Sequence, residues 1–180
     1  MTTSLINSEI QIKVVEDYDQ KVFDDLVSRN LESSSVFIPQ WEYSNLNEKD
    51  YVLKNKTIKI GAFHKGRLVG LSSGGACGPS RFMMNMSLVE PEFRKQGIYA
   101  AMLEKVLELT KDFDEVDSYH HIFNNSMIRL KLKYNFHIIS MDHSIIIGPR
   151  IKMRYFHNQK LKDLMHYRVG LKKDIIKAQK

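Results

Sequence analysis

Apolar and polar residues alternate from Ile10 to Val15, with Ile10, Ile12 and Val14 set against Gln11 and Lys13. That is the period of a half-buried strand. The period then lengthens. Val22, Phe23, Leu26 and Val27 fall on one stripe of a helix over residues 18–31, and Asp17 or Asp19 is placed to cap its start. Ser33-Ser34-Ser35 and Pro39 mark a loop, and a short helix is expected over residues 47–55 with Asn47 as its cap. Residues 58–64 and 67–74 flank Lys65-Gly66 and predict a hairpin, with Gly70, Gly74 and Gly75 indicating a bend or bulge. Gly78-Pro79 turns the chain into a third linked strand over residues 82–89. A helix follows from Gln96 to about Lys111, then a strand over 116–123 and a helix over 124–134. Residues 136–141 and 144–147 read as two more strands, Gly148-Pro149 as the end of the sheet, and residues 160–177 as a terminal helix.

This order is that of a mixed α/β sheet flanked by helices. At 180 residues the chain suits one domain, and its 43% hydrophobic content is ordinary for a globular protein. No apolar run approaches the ~20 residues of a membrane span. The first residues, Met-Thr-Thr-Ser-Leu-Ile-Asn, lack the basic and apolar regions of a signal peptide, so no leader and no membrane association are expected. Cys77 is the only cysteine, which fits a reducing cytoplasm, and a buried structural role is expected for it. The net charge of +6 is uneven. Residues 150–180 hold ten Lys or Arg and two Asp, whereas the first 149 carry a slight negative excess. A domain over 1–149 followed by a basic, helical extension over 150–180 packed on it is therefore expected. A solvated helix face is the favoured reading of the tail, and nucleic acid is disfavoured as its partner.

The informative stretch is Met86 to Ala101. An apolar strand end at Leu88 and Val89 is broken by Pro91, and a basic turn, Arg94-Lys95-Gln96-Gly97, opens a helix. The first N–H groups of a helix lack internal partners and carry the positive end of its dipole, and a glycine there admits a ligand close to the backbone. Such a turn suits a phosphate. Val89-x-Pro91-x-x-Arg94-x-x-Gly97-Ile98 resembles the acetyl-CoA signature of the GCN5-related N-acetyltransferases (GNAT), Gln/Arg-x-x-Gly-x-Gly/Ala after a hydrophobic-x-Pro. Tyr99 stands where the signature has Gly or Ala, which is tolerable if its side chain points away. A second stretch, from Asn124 to Phe136, resembles the family's helix that opens on Asn and ends Lys-x-Gly-Phe. Asn124, Lys133 and Phe136 match, and Asn135 replaces the glycine.

The resemblance implies a GNAT-like, mostly antiparallel sheet whose fourth and fifth strands, residues 82–89 and 116–123, splay around the pantetheine arm of coenzyme A. It implies main-chain contacts from Leu88 and Val89, and backbone amides of Gln96, Gly97, Ile98, Tyr99 and Ala100 on the pyrophosphate. Arg94 and Lys95 would add charge there, and Asn124 would cap the neighbouring helix. Many members place a tyrosine seven residues after that Asn, to protonate the leaving thiolate. Here the position is Lys131, with Tyr134 one turn on. The carboxylate base common on the fourth strand is absent, since Asn85, Met86 and Ser87 hold those positions. His120 and His121 are the substitutes, only one of which can face the splay, and Glu90 is a third candidate. Phe37, Trp41 and Tyr43 lie where the family forms its acceptor wall.

The function implied is acyl transfer from acetyl-CoA, as co-substrate, to a primary amine by direct attack, with no metal. The acceptor is a small molecule or a protein amine, the location cytoplasmic, and a homodimer an open alternative. The other reading is a catalytically weak or inactive acyl-CoA-binding module acting through its basic C-terminal region.

Overall fold

The structure is a computed structural model that describes residues 9–34, 56–144 and 148–171. Its elements are β1 (Ile10–Val15), α1 (Gln20–Ser34), β2 (Thr57–His64), β3 (Arg67–Ala76), β4 (Arg81–Val89), α2 (Ile98–Leu109), β5 (Glu115–His121), α3 (Asn125–Lys133), β6 (His137–Ser144), β7 (Gly148–Phe156) and α4 (Gln159–Arg168). The helix expected over 47–55, together with Phe37, Trp41 and Tyr43, lies outside the described residues.

Seven strands form one sheet in the order β1-β2-β3-β4-β5-β7-β6. Every pair is antiparallel except β4 with β5. The β2–β3 turn puts Lys65 at φ 49° and Gly66 at φ 82°, the double left-handed turn that matches strand twist. One face of the sheet is covered by α2 and α3. Ile60, Phe82 and Met153 of the sheet pack there with Ile98, Met102 and Val106 of α2 and with Phe136, which follows α3. On the other face Leu26 of α1 packs on Leu68 and Leu71 of β3. Asp19 caps α1, accepting from the Val22 amide at 3.0 Å. That helix runs through Ser33 and Ser34, which the serine run had suggested as loop.

The C-terminal part differs most from expectation. Gly148-Pro149 begins a strand rather than ending the sheet, and residues 150–156 belong to β7, not to a helical extension. The physical reason is visible in the ladder. Ile151 and Met153 turn into the core, while Arg150, Lys152 and Arg154 face the other side and find acids there. Pro149 sits at the strand's second position, where a missing N–H is tolerated. The helix expected from 160 is the shorter α4, capped by Asn158, whose side chain accepts from the Lys160 amide at 3.0 Å.

Candidate functional site

The β4–β5 ladder is short. Only Arg81–Met84 pair with Glu115–Ser118, after which the strands part. β4 is also bulged at this level: Met84 opposes Gly74 and Met86 opposes Ser73, which leaves Asn85 as the extra residue. Beyond the fork, β4 has no ladder partner on its β5 side among the described residues. The gap is a cleft of about 270 Å³, lined by residues 84–87 of β4 and 118–121 of β5, with Tyr99, Asn124 and Met127.

The mouth of α2 lies at the end of the same strand. A single 3-10 turn, Pro91–Phe93, leads into a loop in which Lys95 and Gly97 adopt left-handed φ values of 62° and 79°. The first carbonyl of the helix bonds onward, Ala101 N–H to Gly97 O at 3.0 Å, so the amides of Ile98, Tyr99 and Ala100 precede the first helical donor. These are the groups that hold an anion at a helix start. Gln96 braces the loop by donating to the Glu92 carbonyl at 3.0 Å. The Arg94 side chain turns inward instead, donating to the Val89 carbonyl at 3.0 Å and to Asn30 of α1 at 2.7 Å. Its charge therefore serves the fold, and the Val89 carbonyl is already engaged. Leu88 sits beyond the fork, paired with Leu71 of β3.

Tyr99 lines the cleft rather than pointing away. Burial pushes its phenol pKa up, opposed by a hydrogen bond toward Ser87, whose hydroxyl is 2.8 Å from that of Ser72. Asn124 caps α3, accepting from the Met127 amide at 3.3 Å.

Among the candidate acids and bases, His120 and His121 both line the cleft, where alternation had allowed only one, because both stand at the end of β5 beyond its pairing with β4. His120 Nε2 is 3.0 Å from Ser118 Oγ, and burial, with a smaller contribution from Lys131, lowers its pKa to about 4. His121 Nδ1 accepts from the Phe123 amide at 3.3 Å. Glu90 and Tyr134 do not line the cleft. Glu90 is 1% exposed and ion-paired to Arg67 and to Arg29, the latter at 2.8 Å, so it ties β4 to β3 and α1. Tyr134 donates to Glu104 of α2 at 2.6 Å, and burial raises its pKa to about 12.

Lys131 is 0% exposed and does not itself line the cleft, but its amine lies near Met84 and Tyr99, which do. Its Nζ is 3.0 Å from Met84 Sδ and 3.9 Å from the centre of the Phe136 ring, with Tyr99 at 5.9 Å. Desolvation holds its pKa well below 10.5. A lowered amine pKa means that the unfolded chain binds more protons than the folded one, so this site weakens the fold at neutral pH and the penalty fades as pH rises toward 10.5. Lys131→Met, similar in length and apolar, should therefore raise stability at pH 7 by about 1–3 kcal/mol. Urea titrations should show that advantage shrinking toward pH 10. An advantage that does not change with pH would exclude a titration at Lys131 as its source.

Ser118 and Met127 were not singled out by sequence reasoning, and Asn85 entered only as a residue standing where the carboxylate base is absent. Alternation along β5 was the available signal for Ser118, since it places Val116, Ser118 and His120 in one row. Cys77 is exposed at the β3–β4 turn, not buried. Among the described residues, no group of three or more His, Cys, Asp and Glu is arranged to hold a metal ion, and no helix is long and apolar enough to cross a membrane.

No protein-family model and no curated protein matches the sequence. Solved structures do match the fold. The PaiA N-acetyltransferase of Thermoplasma acidophilum, in complex with coenzyme A, superposes with a TM-score of 0.64 at 16% identity, over 82% of this chain and 98% of that one. Ard1 of Thermoplasma volcanium gives 0.64 at 16% identity, over 82% and 97%. The ribosomal-protein-S18-alanine N-acetyltransferase of Escherichia coli gives 0.62 at 13% identity, over 82% and 93%. The splayed β4–β5 pair, the glycine-opened α2 and these superpositions together show that the chain has the fold of the GCN5-related N-acetyltransferases.

Proposed function

We propose that the protein is an acyl-CoA-dependent N-acyltransferase that moves an acetyl group from acetyl-CoA to a primary amine. The observation that carries this reading is the fork. A strand with an open backbone edge runs from the bulge at Asn85 to a helix start with uncommitted amides, and a cleft lies alongside it. An extended amide-containing arm can pair with such an edge, and a pyrophosphate can rest on such a helix start. Leu88 offers the edge. Gln96, Gly97, Ile98, Tyr99 and Ala100 offer amides, and Lys95 offers charge at the rim. Amides of β4 near the bulge would hold the oxyanion formed when the amine attacks the thioester.

The amine must arrive neutral or lose a proton in the cleft. His121 stands at the strand end as a candidate for that role. His120, with a pKa of about 4, stays neutral until the pH falls close to that value, and is a weak acceptor above it. Among the described residues, no Asp or Glu lines the cleft. That observation favours a second reading, a coenzyme-binding module with little turnover. Binding to a polyanion through the C-terminal segment has less support, because Arg150, Lys152 and Arg154 are all paired with acids of the sheet.

Calorimetric titration with acetyl-CoA, followed by thiol release with a panel of small amines and peptide N-termini, separates the readings. Binding with amine-dependent thiol release is the expected result. Binding alone would leave the module. Absence of binding would remove both.

A further inference from the structure

The side chain of Tyr99 has no part in the function proposed above, which uses only its backbone amide. It reaches from the first turn of α2 into the cleft. Its hydroxyl is hydrogen-bonded with Ser87 of β4, and Ser87 meets Ser72 of β3 at 2.8 Å, so the phenol is tied through one hydroxyl chain to two strands. Its ring centre lies 5.9 Å from the buried amine of Lys131, which touches Met84 at 3.0 Å. The ring therefore stands beside β4 between the levels of Ser87 and Met84. Met84 and Ser118 are the last pair before the strands part, and they are 6% and 3% exposed. Those two residues and the Tyr99 ring bound the inner end of the cleft. An arm laid along β4 from the helix start at Gly97 runs toward that end, because Val89 is the helix side of the strand and Asn85 the fork side. A thioester carbonyl at the bulge then points its acyl chain at the ring.

We propose that the Tyr99 ring is the end wall of the acyl site and sets the length of acyl group the cleft accepts, admitting acetyl and rejecting longer chains. The proposal rests on the thioester reading above. A ring held at its hydroxyl and packed against the core cannot swing aside for an extra methylene. A longer chain must break the bond to Ser87 or push on close-packed neighbours. The space the ring takes borders Met84 and the main core, so a smaller residue at 99 would open an apolar pocket able to bury methylene groups. Tyr99 is also the position at which the chain departs from the resembled signature, which has Gly or Ala there. The departure thus has a use: a large side chain at the second residue of α2 shortens the site from the helix side.

Calorimetry with coenzyme A and with its acetyl, propionyl, butyryl and hexanoyl thioesters tests this without an acceptor amine. In the wild-type chain affinity should hold from coenzyme A to acetyl-CoA, then fall by about 10-fold or more for each methylene added up to butyryl. Tyr99→Phe keeps the ring and should keep that fall. In Tyr99→Ala the fall should vanish, and each methylene should instead tighten binding by up to about 4-fold. Tyr99→Leu fills more of the core, so it gives a second reading if the alanine variant does not fold, and its fall should begin later in the series. No fall in the wild-type chain, or a wild-type fall that persists in the truncated variants, would overturn the proposal, while binding of coenzyme A itself would leave the thioester reading standing. Unacylated coenzyme A bound about 10-fold or more tighter by Tyr99→Ala would also overturn it, since the ring would then obstruct the arm and not the acyl group. If neither the wild-type chain nor Tyr99→Ala binds coenzyme A, the thioester reading falls and the proposal with it.

Discussion

Replacing Gly97 with glutamate is expected to weaken acetyl-CoA binding by at least about 100-fold, or about 2.7 kcal/mol, while the chain stays folded. Two effects combine. Gly97 sits at φ 79° and ψ −3°, where an L-residue costs about 1–2 kcal/mol. That is a fraction of the roughly 5–15 kcal/mol that holds a domain together, so folding survives. The larger effect is electrostatic. A carboxylate placed at the start of α2 cancels the field that draws an anion there. At about 4 Å from a phosphate charge, with an effective dielectric constant near 20, it adds roughly 4 kcal/mol of repulsion. Gly97→Asn separates the two effects. Asparagine tolerates the left-handed region and carries no charge, so it should retain most of the affinity. Calorimetry on the three proteins decides the matter. Equal affinity in the glutamate variant would mean that the coenzyme's pyrophosphate does not lie at this turn.

The second large effect is on stability. Asp117 is 0% exposed, yet it holds Arg154 in a two-pronged pair at 2.6 and 2.8 Å and Lys152 at 2.9 Å. Arg154 also reaches Glu115 at 2.8 Å, and Arg81 meets Glu115 at 2.9 Å. This network joins β4, β5 and β7 across the face opposite α2. Asp117→Ala should cost about 3–5 kcal/mol, because it leaves Lys152 without its acid and Arg154 with Glu115 alone. The urea midpoint measures this loss. Burial raises the Asp117 pKa, but the hydrogen bonds from Arg154 and Lys152 more than reverse it, so the value lies below 3.8. A carboxylate with a lowered folded pKa stabilises the chain fully above its unfolded value. That contribution disappears as pH falls through the lower folded value. The acid limb of the stability profile should therefore be shallower in Asp117→Asn than in the wild-type chain.

The first two-thirds of the sheet were legible because each strand shows one clear signal. Ile10–Val15 alternates, Lys65-Gly66 is a turn dipeptide, and Pro91 cannot continue a ladder. The segment from Arg150 was not legible in the same way. Its cations mask a strand's alternation when read as net charge, and the partners of Lys152 and Arg154, Asp117 and Glu115, lie far back in the sequence on β5. The glycine-opened helix could be read locally, because a helix start is a property of adjacent residues. The direction of the Arg94 side chain could not, because its partner Asn30 lies on another helix. The same holds for Lys131. Spacing placed it on α3, but only the packed core shows that its amine rests between a thioether and an aromatic ring.

The sheet order has a consequence for how the chain is made. Among the described strands β6 is bordered only by β7, and β7 lies between β5 and β6 although it follows both in sequence. During synthesis β6 therefore emerges with no neighbour to join. It must wait until residue 156 has left the ribosome, at which point two ladders close together. In that interval Ile138, Ile139 and Met141 are open to any other strand edge in reach. A slower, chaperone-sensitive completion of this half of the sheet follows, while β1 to β4 can pair as they appear.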